Sequence, residues 1–248
     1  MFDNIMGKID IRKSESLLVK LDENKKLLII SDLHLGHKFN KQIFEEFVKI
    51  FSQYDLIVIN GDFWADTATD FDKFVKSQWS QLFPILKNKT IYIFGNHDDL
   101  SKMDNRVNLF SKIQGYRLKL THGKNKFHIE HGQLLSSKLA WFLMDTFRPY
   151  PKLLHLITLP LLPLDWLTKY YTYQKIHNKF LYDLLNTKYK KQRLQNSHQT
   201  EIFVMGHTHL AEYDKELNYV NTGFSHLGNF SYLESENNKI KLLTYNIL

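Results

Sequence analysis

Leu27-Leu28-Ile29-Ile30-Ser31-Asp32-Leu33-His34 is the stretch on which the fold turns. A short apolar run, with no polar residue in alternation, suits a strand buried on both faces of a parallel sheet. It stops on Asp-x-His. The same grammar returns in Leu56-Ile57-Val58-Ile59-Asn60-Gly61-Asp62 and in Ile91-Tyr92-Ile93-Phe94-Gly95-Asn96-His97-Asp98. Between the first two runs, Ile43, Phe44, Phe47, Val48 and Phe51 fall at three- and four-residue steps, one face of a helix. Phe71, Phe74, Val75, Trp79, Leu82 and Phe83 predict a second helix before the third run. Strand, helix, strand, helix, strand implies a layered α/β fold.

Two more runs obey the rule further along the chain. Phe127-His128-Ile129-Glu130 leads into His131-Gly132, and Ile202-Phe203-Val204-Met205 leads into Gly206-His207-Thr208-His209. The tail (Tyr219-Val220, Phe230 to Leu233, Lys239 to Tyr245) reads as short antiparallel strands. Between them, residues 134–195 lose the strand pattern and turn rich in Leu, Tyr, Trp and Lys. These are expected to form a helical cap inserted into a core of residues 1–133 and 196–248. Leu153 to Leu167 is the most apolar part of the cap, yet Pro160 and Pro163 interrupt it and it falls short of the ~20 apolar residues of a membrane span.

Composition narrows the chemistry. The 248 residues are enough for one large α/β domain. The sequence has no cysteine, which excludes disulfides, thiolate zinc sites and cysteine nucleophiles and leans toward the cytoplasm. Met1 to Asp10 carries acidic residues and no apolar core, so no signal peptide is expected there. A net charge of +7 favours an anionic partner such as phosphate, nucleic acid or an acidic lipid surface.

In open α/β sheets, ligands bind outside the carboxyl ends of the strands. Segments ending this way would converge Asp, Asn and His side chains on one crevice. Carboxylate and imidazole without thiolate suit manganese, iron, zinc or similar ions. Residues two apart, Asp32/His34 and His207/His209, can share a pocket while Leu33 and Thr208 turn away. Glycine before Asp62, Asn96 and His207 lets the chain approach the ions closely. His37, His122, His128, His155, His177, His198 and His226 are expected to be structural, although His37 lies near enough to touch substrate.

The ordered set Asp-x-His, Gly-Asp, Gly-Asn-His-Asp, His, Gly-His-x-His spans residues 32–209 and resembles the calcineurin-like metallophosphoesterases. The resemblance implies a four-layer α/β/β/α sandwich and two divalent ions, manganese first, with iron, zinc or nickel as alternatives. It implies one ion on Asp32, His34, Asp62 and His209, and a second on Asp62, Asn96, His131 and His207. His97 would then serve the leaving group or transition state, Asp98 would orient His97, and water activated by the ions would be the nucleophile.

The opening Ile30 to Gly36, the cap (Phe147-Arg148, Leu159-Pro160-Leu161) and Asn221-Thr222-Gly223 are similar to the branch containing UDP-2,3-diacylglucosamine pyrophosphatases. That similarity implies a nucleotide-linked lipid pyrophosphate as substrate. A cap carrying Trp141, Phe142, Trp166, Tyr170 and Tyr171, with Lys152 and Lys169, could also meet the inner face of the cytoplasmic membrane. The charge run Lys188, Lys190, Lys191 and Arg193 is expected to be a solvated face. The alternatives are a nuclease or other phosphodiesterase, which the low arginine content and the apolar cap count against, and an inactive binding scaffold.

Overall fold

The computed structural model describes residues 16–36, 38–133, 186–187, 190–191 and 200–248. In chain order its strands are β1 (Leu17–Leu21), β2 (Leu27–Ile30), β3 (Leu56–Asn60), β4 (Thr90–Ile93), β5 (Ile113–Gly115) and β6 (Arg117–His122). They continue with β7 (Asn125–Glu130), β8 (Ile202–Met205), β9 (Glu212–Asp214), β10 (Tyr219–Asn221), β11 (Asn229–Glu236) and β12 (Lys239–Asn246). They form two six-stranded sheets, in the orders β12-β11-β2-β3-β4-β5 and β1-β6-β7-β8-β10-β9. Parallel pairing runs from β2 through β5 and across β7-β8-β10, as fully buried apolar runs require.

The sheets face one another across a largely apolar layer. Leu27, Ile29, Val58, Ile91 and Ile93 of one meet Leu118, Leu120, Phe127, Ile129, Val204 and Val220 of the other. The alternate residues Leu28, Ile30, Ile57 and Ile59 point outward, onto helix α1 (Lys41–Ser52) through its Phe47 and Phe51. Asn40 starts that helix, its side chain accepting the Ile43 N–H. Each such buried side chain contributes ~1.5–3 kcal/mol of transfer free energy. Helices, sheet and sheet give three of the expected layers of an α/β sandwich. On the outer face of the second sheet, residues 186–187 and 190–191 are helical, and the rest of the expected fourth layer lies outside the described residues. So do the other cap residues, His37, His155, His177 and His198.

Three local expectations are corrected. The helix expected across Phe71 to Phe83 is three pieces: α2 (Phe71–Lys76), a 3-10 segment (Gln78–Leu82) and α3 (Phe83–Leu86). Ser77 breaks it with extended backbone (ψ 170), its hydroxyl capping Trp79 N–H, and Pro84 sits in the first turn of α3. Tyr219–Asn221 pairs parallel with β8 and antiparallel only with β9. Lys190 is no idle surface charge, because its ammonium pairs with the Glu212 carboxylate and lies 3.3 Å from Asp214 Oδ2.

Candidate metal centre

The strands β2, β3 and β4 lie side by side, and their carboxyl ends deliver Asp32/His34, Asp62 and Asn96-His97-Asp98 to one edge. The neighbouring β7 and β8 deliver His131 and His207/His209 from the facing sheet. All seven residues expected as ligands therefore meet at one place. Asp32, His34 and His209 offer ligand atoms within 4.8 Å of one another, as do Asp62, His131 and His207, and a third group, His34, Asp62 and His97, overlaps both.

The chain bends hard to achieve this. Asp32 (φ 54), His34 (φ 46), Asp62 (φ 55), His207 (φ 67) and His209 (φ 58) all hold the left-handed conformation. Such conformations cost free energy outside glycine and collect where the surrounding structure enforces them for function. Close approach also explains Gly95: a Cβ there would lie 2.2 Å from Asp62 Oδ1. Leu33 turns away into the helix-side core, and Thr208 is buried against the helical segment.

Both carboxylates have one oxygen tied to backbone and one turned to the imidazoles. Asp62 Oδ1 accepts the His97 amide at 2.9 Å, while Oδ2 lies 3.3 Å from His131 Nε2 and 3.9 Å from His34 Nε2. Asp32 Oδ2 accepts the His207 amide at 3.1 Å. Asp32 Oδ1 is fully buried and accepts no hydrogen bond, with His209 Nε2 3.1 Å away. His34 Nε2 and His209 Nε2 stand 3.2 Å apart, and Asn96 Oδ1 is 3.3 Å from His131 Nε2. Ligand atoms around one ion with bonds of ~2.1 Å sit ~3.0–3.4 Å apart, so this spacing suits a cation between them.

Outer partners fix the tautomers. His131 Nδ1 donates to the Asn60 carbonyl at 2.7 Å, which leaves Nε2 to face Asp62. Although burial favours its neutral form, the Asp62 and Asp32 carboxylates hold the His131 pKa up at about 10. Burial and then the neighbouring His131 push His207 down to about 4. Against their own burial, Asp32 and Asp62 are held below the usual carboxylate range by the imidazoles around them. A buried oxygen without a donor, carboxylates poised as anions and an all-oxygen-and-nitrogen set together fit divalent ions.

His97 occupies the open side, its ring 4.8 Å from that of His34. Its partner is a correction. Asp98 does not hold the His97 ring; it accepts the amides of Asp62 (3.0 Å), Phe63 (2.6 Å) and Gly95 (2.8 Å) and the Tyr92 hydroxyl, clamping two loops together. Burial and the Asp62 charge raise Asp98 to about 6. The ring is held instead by Asp66, whose Oδ1 accepts His97 Nδ1–H at 2.8 Å. Lys102 reaches Asp66 Oδ2 at 2.9 Å and the Asn96 carbonyl at 2.6 Å. An acid four residues past Asp62 was a visible signal for Asp66; Lys102 had none.

Behind the His207–His209 loop, buried Asn186 accepts from Thr208 Oγ1 (2.7 Å), Tyr219 Oη (3.1 Å) and Asn221 Nδ2 (3.1 Å). Thr222 Oγ1 meets Ser31 Oγ at 2.7 Å, so Asn221-Thr222-Gly223 ties β10 to the first ligand loop. His122 is structural as expected, bonded to Ser235 Oγ and the Lys25 carbonyl.

Residues 25–242 match the calcineurin-like phosphoesterase family. The chain is a calcineurin-like phosphoesterase. As a member of that family it is a metal-dependent hydrolase of phosphoester bonds. The phosphoesterase is similar in structure to Yfce, a phosphoesterase from E. coli, with 16% identity, 90% of this chain and 100% of that one covered, and a TM-score of 0.47. A predicted phosphoesterase from Streptococcus pneumoniae TIGR4 overlaps at 16% identity, covering 90% of this chain and 89% of its own, with a TM-score of 0.41. Neither bears on the substrate. No curated protein matches the sequence. No helix among the described residues of this phosphoesterase is long and apolar enough to cross a membrane.

Proposed function

We propose that this phosphoesterase works with two divalent ions, one on Asp32, His34, Asp62 and His209, the other on Asp62, Asn96, His131 and His207. The observation that carries the proposal is the position of Asp62 Oδ2, 3.3 Å from His131 Nε2 and 3.9 Å from His34 Nε2, between the His131–His207 and the Asp32–His34–His209 groups. Manganese is the first candidate, ahead of iron, zinc and nickel. When bound, such a pair supplies Lewis acidity and an activated water at neutral pH.

The chain's own residues would do the rest. His97, with Nδ1 engaged by Asp66, has Nε2 left beside His34 and Asp62, where it would protonate a departing oxygen or steady charge on the phosphoryl group. Burial works against protonation, but the Asp66 hydrogen bond and the Asp62 charge raise its pKa, so the imidazole holds a proton to give. Asp66 and Lys102 aim the ring, and Asp98 keeps the Asp62 and Gly95 loops in register.

For substrate, we propose the pyrophosphate of a nucleotide-linked lipid such as UDP-2,3-diacylglucosamine. The sequence similarity of residues 134–195 and Asn221-Thr222-Gly223 to that branch supports this reading, as does the apolar composition of the cap. The same composition supports contact of the cap with a membrane surface. The test is release of UMP from UDP-2,3-diacylglucosamine by protein loaded with Mn²⁺, beside bis(p-nitrophenyl) phosphate as a generic diester. Turnover of both is expected. Turnover of the generic diester alone would remove the lipid substrate and leave the reaction class intact.

A further inference from the structure

A cavity of about 310 Å³ lies against the metal centre, on the side of α1. Leu33, Leu35, Ile43 and Phe47 form its buried floor, and Trp79 one wall. Its inner end is His34 with His226, rings 6.0 Å apart, so the cavity and the proposed ion site share a wall.

The rim carries an anomaly. His226-Leu227-Gly228-Asn229 is a tight turn, closed by Asn229 N–H to the His226 carbonyl at 3.0 Å, with Leu227 at φ 51 and Gly228 at φ 82. Turns with two left-handed central residues favour Asn, Asp or Gly at the first of them. Here a leucine takes that strain and leaves 42% of its surface exposed over the cavity. Strain and exposed apolar surface together are unfavourable for the free protein and point to a use when something is bound.

The polar lining narrows what that is. Asn40 Oδ1 is occupied by the Ile43 amide, and Ser225 Oγ by the carbonyl and amide of Ser231. Those two oxygens are engaged within the fold; the other polar lining residues are Lys38 and, at the inner end, His34 and His226. The volume is at the low end of ligand pockets, ~300–1,000 Å³, and suits one chain.

We infer that this cavity is an apolar subsite for a single alkyl or acyl chain of the phosphoester, entering beside His34 and covered by Leu227. It rests on the phosphoesterase reading but is built from core residues, independently of the cap. Mono-n-alkyl p-nitrophenyl phosphates, methyl to octyl, test it on the Mn²⁺-loaded protein. The expected kcat/KM rises about fourfold per methylene until the cavity fills. Leu227→Asn should flatten that rise without lowering Tm, because asparagine suits the turn. No dependence on chain length, or an unchanged slope in Leu227→Asn, would overturn the inference. So would the uridine 5′ ester outrunning the octyl ester, since a base would then be the occupant. If no ester turns over, the proposed diester hydrolysis fails, while calorimetry with n-octyl phosphate against methyl phosphate still tests the subsite. Tighter octyl binding, lost in Leu227→Asn, is expected, and equal affinities would overturn it.

Discussion

The His97 amide donates to the Asp62 carboxylate at 2.9 Å, yet removing the two side chains should have opposite consequences for metal. His97→Ala should keep its metal content and lose ~10²–10⁴ in kcat, the usual worth of a placed acid or base. Metal analysis beside steady-state kinetics checks this, and an unchanged rate would remove His97 from the chemistry. Lys102→Met frees the Asp66 carboxylate that aims the ring, so kcat should fall with KM little changed, and Lys102→Arg should restore part of it. At this scale the sequence was most legible for ligand types, because Asp-x-His and Gly-His-x-His mark the residues directly. It was blind to Lys102, a lysine among many, whose role exists only because its 3-10 segment folds back over the Asn96 loop. It also misassigned the partner of His97, since adjacency in sequence favoured Asp98 where geometry favours Asp66.

Elements set how firmly the ligands are presented. The His207–His209 loop leans on Asn186, a residue counted with the cap by its sequence surroundings but buried against β10 through Tyr219 and Asn221. Asn186→Ala removes an acceptor shared by Thr208 Oγ1, Tyr219 Oη and Asn221 Nδ2, a cost of about 1–3 kcal/mol. The expected outcome is a lower Tm together with faster metal dissociation in a chelator chase; a lower Tm alone would mean that Asn186 supports the sheet but not the loop. Buried strands β2, β3, β4 and β8 were legible as continuous apolar runs. The strands β1, β5 and β9 were not, because they are short or half-exposed edge segments. The break at Ser77 was hidden by an apolar period that runs on unchanged across it.

For the whole molecule, protons and metal compete for one buried site. The metal-free protein holds a proton on His131 up to about pH 10, above the ordinary imidazole value of ~6.5. Folded protein then binds more protons than unfolded protein between those values, so this group's contribution to stability is present below ~6.5 and lost as pH rises toward 10. Metal requires His131 neutral, so the gain in Tm on adding Mn²⁺ should grow from pH 6 to pH 8. Melting curves with and without the ion read both trends, and a gain that shrinks with pH would contradict the ligand role of His131. The layered architecture was readable from alternating strands and helices, whereas the left-handed backbone at Asp32, His34, Asp62, His207 and His209 was not, since tertiary packing imposes it.

The most direct test of the two-ion claim is metal counting by native mass spectrometry on the Mn²⁺-loaded chain and on Asp62→Ala. Two ions per chain are expected in the first, and a loss of metal together with activity in the second. A single ion in the parent, or two ions retained in Asp62→Ala, would contradict that claim.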